Sequence, residues 1–165
     1  MAELWIQVLA ATPADLDRLT QDFNRKAHQD GLAFYQWLLR ENPRDAKAHT
    51  SFGRLLVLAG QLDEARKHLQ TALEISPGDD LPHYYLGVVH RRQNQLFAAR
   101  LEFQTALRLN PDNYRALGNL AQIAQAEGNL TEAEQHLRAA LKIFPGDPLS
   151  RESLKEIETL RGVRP

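Results

Sequence analysis

A pattern of apolar, small and polar positions returns every 34 residues through the middle of the chain. Its first copy reads Phe52-Gly53, Leu56, Gly60-Gln61-Leu62, Ala65, Leu69, Ala72-Leu73, Ile75 and Pro77. The second reads Leu86-Gly87, His90, Asn94-Gln95-Leu96, Ala99, Phe103, Ala106-Leu107, Leu109 and Pro111. The third reads Leu120-Ala121, Ala124, Gly128-Asn129-Leu130, Ala133, Leu137, Ala140-Leu141, Ile143 and Pro145. A fixed period of this length marks a repeat architecture, in which each unit buries its apolar face against the next. Each unit predicts two antiparallel helices. Gly60, Asn94 and Gly128 fall between them, and these residue types tolerate the left-handed backbone that closes a helix. Asp45, Asp79, Asn113 and Asp147 suit the N-cap of the helix that follows, where a side-chain oxygen accepts from orphan backbone N–H groups. The pairs Gly53/Ala65, Gly87/Ala99 and Ala121/Ala133 leave room for the two helices of a unit to approach closely.

The flanks are less regular. Leu4, Trp5, Val8 and Leu9 within residues 1–11 have roughly helical spacing. Thr12-Pro13-Ala14-Asp15 reads as a helix start, with Thr as N-cap and Pro at the first helical position. Residues 12–45 fit the repeat frame in their second half, from Phe34 through Trp37 to Pro43, with Gly31 in a small-residue slot. They read as a degenerate terminal unit. Residues 46–79, 80–113 and 114–147 are three full units. Residues 148–165 predict an end helix and tail, with Leu154, Ile157 and Leu160 on one buried stripe and charge on the other face.

Composition removes several function classes. The 165 residues carry a formal net charge of −1 and 25% charged side chains. That balance gives no support for a nucleic-acid partner. No apolar run approaches the roughly 20 residues of a membrane-spanning helix, so membrane insertion is not expected. There is no cysteine, which excludes disulfides and thiolate chemistry. Leu4–Ala11 lacks a basic region before it, so a secretory signal is not expected. The expected location is cytoplasmic, or periplasmic if a leader precedes Met1 in the natural chain. His83 and His90 lie seven residues apart on one predicted helix, about 10.5 Å by helical rise. That is too far to share a metal ion with bonds near ~2 Å. HExxH, P-loop, Gly-rich nucleotide and G-x-S-x-G patterns are all absent. Neither a catalytic role nor a metal or other cofactor is expected.

The spacing, the small residues and the closing Pro over residues 46–147 resemble the tetratricopeptide repeat (TPR) family. The resemblance implies an all-α fold, a right-handed superhelix of stacked helix pairs ended by a solvating helix. It also implies that the first helix of each unit lines a concave groove through its slots 2, 5, 6, 9, 12 and 13. In this chain those slots carry Lys47, Arg54, Arg91, Arg92 and Arg115 as basic residues and none that is acidic over the three full units. Tyr84, Tyr85, Asn119 and Gln122 stand among them, with the adjacent tyrosines as a candidate ligand platform. The implied function is a non-catalytic protein-interaction module that binds a peptide, acidic or with a free carboxylate, in this basic groove. The carboxylate clamp of TPR co-chaperones would fall on Thr50, Arg54, Tyr85, Arg115 and Asn119; only Arg115 matches it in kind. Two alternatives stand beside this reading. One is a self-associating assembly factor that forms a homo-oligomer through the apolar N-terminal segment; the other is a TPR fragment of a larger enzyme.

Overall fold

The computed structural model describes residues 13–162. Residues 1–11, Thr12 and the last three residues lie outside that range, as does the expectation for Leu4, Trp5, Val8 and Leu9. The described residues form eight helices in chain order: α1 Pro13–Glu41, α2 Ala46–Leu58, α3 Leu62–Ile75, α4 Asp80–Arg92, α5 Leu96–Leu109, α6 Tyr114–Ala126, α7 Leu130–Ile143 and α8 Pro148–Leu160. Helix pairs α2/α3, α4/α5 and α6/α7 make up three stacked units, with α1 packed on α2 at one end and α8 on α7 at the other. Over the degenerate terminal stretch one helix of 29 residues, α1, runs without a break.

Local signals set the helix boundaries. The Asp45 carboxylate accepts from Ala48 N at 2.9 Å, Asp79 from Leu81 N at 3.1 Å, Asn113 Oδ1 from Ala116 N at 3.1 Å and Asp147 from Ser150 N at 3.0 Å. Each cap satisfies one of the donors that a helix start leaves unpaired. Gly60 and Gly128 both have φ of 78° and Asn94 has φ of 58°, the left-handed turns that the sequence predicts.

The core follows the close approach inside each unit. A Cβ built on Gly53 would lie 2.7 Å from Leu69 Cγ, and one on Gly87 would lie 2.6 Å from the Phe103 ring. The side chain that closes over the glycine is therefore the large one two turns down the second helix. Ala65 and Ala99 clear the same space at the helix crossing and are fully buried. In the third unit Ala121 sits at the same slot, with Leu137 opposite. Phe52, Leu56, Leu86 and Val89 fill the first interface between units, and Phe103, Leu120 and Ile123 the second. Tyr35 and Leu39 of α1 join the first cluster, with the Tyr35 and Phe52 rings 6.4 Å apart.

The end helix departs from its expected stripe. Ile157 is fully buried and Leu154 packs on the third cluster, but Leu160 is 67% exposed. The reason lies in the repeat frame. α8 occupies the place of a first helix, and Leu160 stands in its slot 13, which turns toward the concave side rather than toward α7.

Histidines serve packing and hydrogen bonding. His49 Nε2 lies 3.1 Å from the Pro43 carbonyl, which can only accept, so that nitrogen carries a proton. In neutral His49 Nδ1 is then the acceptor, and His68 Nδ1–H donates to it across 2.9 Å. One repeat later the matching slots hold His83 and Glu102, 2.7 Å apart. Among the described residues no group of three or more His, Cys, Asp or Glu is placed to hold a metal ion.

Three outcomes follow from this packing. Gly87→Val drives a branched side chain into the Phe103 ring, which is fully buried. It should lower stability by about 1–3 kcal/mol in urea denaturation, and an unchanged midpoint would contradict the close-approach account. Ile157→Ala should cost about 2–5 kcal/mol, whereas Leu160→Ala should stay within ~0.5 kcal/mol. Equal losses would refute the orientation of α8. Burial lowers the His68 pKa, the neighbouring His49 lowers it further, and Glu64 opposes both. The folded chain therefore resists a proton that the unfolded chain accepts near the ordinary value of 6.5. Stability from this site is complete above that pH and is lost as pH falls through the folded value. Thermal melts from pH 7.5 to 5 should show a shallower loss in His68→Gln than in the wild type; identical slopes would reject the effect.

Candidate functional site

The first helices α2, α4, α6 and α8 stand side by side, with α2 also touching α4 directly. Their aligned slots place the candidate residues. Lys47 and Arg54 on α2 are exposed. Tyr84 and Tyr85 on α4 are half-buried, their rings edge to face with centroids 4.9 Å apart. Burial pushes both phenols above their ordinary pKa. Tyr85 adds to the rise at Tyr84, while Arg115, a hydrogen bond with Asn119 and the charge of Arg91 pull it down. Arg54 and Arg115 act the same way on Tyr85. Arg54, Tyr84, Tyr85, Arg91, Arg115 and Asn119 thus form one electrostatic neighbourhood drawn from three units.

Other candidates take different roles. Arg91 is half-buried, and its Nε is buried with no hydrogen-bond partner among the described residues. Arg92 turns its guanidinium to the Val57 carbonyl at 2.6 Å and so ties α4 to the end of α2. Thr50 and Val57, both in groove slots, are buried. Thr50 Oγ1 is spent on the Ala46 carbonyl at 2.9 Å. Lys47 is not among the charges that act on either tyrosine.

A pocket of about 230 Å³ opens beside Tyr84 between α6 and α8. Tyr114, Arg115, Gly118, Asn119 and Gln122 line one wall. Leu149, Ser150 and Ser153 line the other, with Leu137 and Asp147 also contributing. Arg115 lies over the Tyr114 ring at 4.9 Å, and Asn119 Nδ2 donates to the Arg115 carbonyl at 2.8 Å. The sequence reading stops the groove at Gln122 and misses α8. Leu149, Glu152, Ser153, Glu156 and Leu160 line a shallower depression that continues from Gln122. These are the groove slots of a fourth first helix, and the 34-residue frame carried one unit further would have found them. By sequence these slots hold Lys47, Arg54, Arg91, Arg92 and Arg115 over α2, α4 and α6, and Glu152 and Glu156 over α8, where Lys155 lines the same depression.

Charge on the second helices is used between units. Arg100 of α5 pairs with Glu132 at 2.5 Å and with Glu127. That contact holds the Glu132 carboxyl below its ordinary pKa. Arg161 meets Glu134 at 2.5 Å and Arg138 meets Glu158 at 3.2 Å, tying α8 to α7.

Comparison with known proteins agrees with the fold. The family model described as "Tetratricopeptide repeat" matches residues 83–148, and that described as "TPR repeat" matches residues 53–94. No curated protein matches the chain. Solved structures of similar fold include a crystal structure of MamA, at TM-score 0.68 and 19% identity, covering 93% of this chain and 87% of that one. A second MamA structure gives TM-score 0.69 at 18% identity, covering 88% of this chain and 79% of that one. A MamA RS-1 double mutant gives TM-score 0.67 at 17% identity, covering 88% and 83%. Among the described residues no helix is long and apolar enough to cross a membrane. The all-α stack of helix pairs and the two family matches together make this chain a member of the tetratricopeptide repeat family, whose repeats serve protein interaction.

Proposed function

We propose that the chain captures an extended acidic peptide segment of a partner protein on its concave surface, without catalysing a reaction. The observation that carries this reading is that Arg54, Arg91 and Arg115 each lie close enough to act electrostatically on Tyr84 or Tyr85. Each half-buried phenol lies within the field of two of these arginines, Tyr84 of Arg91 and Arg115 and Tyr85 of Arg54 and Arg115, so apolar rings and positive charge share one surface. Arginine suits carboxylates because its planar fork donates two parallel hydrogen bonds. Tyrosine offers a rigid apolar face with a polar tip at low entropic cost.

The charge along the surface also sets the direction of the ligand's own charge. Carboxylates of the segment lie over α2, α4 and α6, and its less acidic or basic end lies over Glu152 and Glu156. Arginines in the middle of the array speed encounter and select partners more than they raise affinity. The expected affinity is micromolar, about −8 kcal/mol.

An amidated dodecapeptide of mixed Asp, Glu and Leu tests this by calorimetry. It should bind more weakly at 300 mM than at 50 mM salt, since the exposed charges are screened over a Debye length of ~8–10 Å near physiological salt. Arg54→Glu combined with Arg91→Glu should weaken binding at least tenfold with the circular dichroism spectrum unchanged. Equal binding by the double variant would overturn the proposal.

A further inference from the structure

Resting on the groove reading, we infer that the pocket under Gly118 is a specificity pocket that takes one tyrosine side chain of the bound segment. Slot 5 of the first helices carries Thr50, Tyr84, Gly118 and Glu152 in turn. Only at Gly118 is the slot empty of a side chain. The backbone there is helical, and a Cβ built on Gly118 would touch just Ser150 Oγ, at an ordinary contact distance of 3.7 Å. The missing side chain creates the pocket.

Size and lining choose the occupant. At about 230 Å³ the pocket exceeds the roughly 150 Å³ of a cavity that takes benzene. It falls short of the roughly 300–1,000 Å³ of sites that enclose a whole small ligand. One aromatic side chain fits that range. The rings of Tyr84 and Tyr114 and the side chain of Leu149 supply apolar walls for its ring. Ser150 Oγ supplies the end point. Ser150 is 2% exposed, and its hydroxyl is buried with no hydrogen-bond partner. The backbone N–H of the same residue is already spent on Asp147. A buried hydroxyl left unpaired is unfavourable, and it can both donate and accept. A phenol entering the pocket satisfies it from the partner's side, whereas a phenyl ring leaves it unpaired. The pocket also opens beside Arg115 and Asn119, so the tyrosine sits next to the acidic stretch bound by the arginines.

Three acidic decapeptides test the assignment by fluorescence anisotropy against the full chain. They differ at one central residue, Tyr, Phe or Ala. The Tyr peptide should bind on the order of tenfold more tightly than Phe, and Ala more weakly still. Ser150→Ala should bring Tyr and Phe together while leaving both above Ala. Gly118→Phe, which fills the pocket with the chain's own ring, should bring all three together at the salt-dependent level of the Ala peptide. Equal binding of the three peptides to the wild type would overturn the pocket while leaving the groove reading intact. Equal binding of Tyr and Phe alone would remove Ser150's role and the proposal with it. Failure of every acidic peptide to bind would overturn both.

Discussion

The structure depends on how closely the two helices of a unit can approach. At Gly53 and Gly87 the first helix carries no side chain, and Leu69 and Phe103 lie against its backbone within 3 Å of where a Cβ would be. That contact sets the spacing of the first two pairs, and in the third Ala121 takes the slot with Leu137 opposite. The small slot repeats, so successive first helices line up along one side. Everything on the concave surface inherits its position from that register. Tyr85, at slot 6, comes within the field of Arg54 at slot 9 of the unit before it and of Arg115 at slot 2 of the unit after it. Packing density makes such contacts intolerant of added volume.

Charge is divided by the same geometry. Second helices face each other across units at their edges, and there Arg100, Glu127 and Glu132 form a network that joins the second unit to the third. Exposed pairs of this kind are worth little individually, at most about 1 kcal/mol each. First helices instead place Arg54, Arg91 and Arg115 beside tyrosines rather than beside acids. The net charge near zero hides this sorting.

Much of the architecture was legible because its determinants are local. Asp45, Asp79, Asn113 and Asp147 act within three residues of themselves. Gly60, Asn94 and Gly128 act through their own φ. What escaped depends on contacts between distant segments. Gly31 sits within the long α1, and its bare backbone faces Leu55, 3.1 Å from where a Cβ would be. Leu160 was assigned to the buried stripe because its spacing from Ile157 fits one, yet only the docking of α8 shows which side faces α7. The buried Ser150 hydroxyl and the opening over Gly118 arise where α6 meets α8, and no window of sequence contains both. Arg92 was read as a groove cation, and its tie to the Val57 carbonyl reaches across 35 residues.

Two exposed surfaces compete as the binding face: the concave row of first helices, and the outer side of α5, where Phe97 is 76% and Leu101 49% exposed. Titrating isotope-labelled protein with the acidic peptide, and following backbone amide shifts by NMR, separates them directly. A concave site predicts shifts concentrated at Arg54, Tyr84, Tyr85, Gly118 and Asn119, with Phe97 and Leu101 unmoved. Shifts concentrated at Phe97 and Leu101, with the tyrosine neighbourhood unmoved, would contradict it.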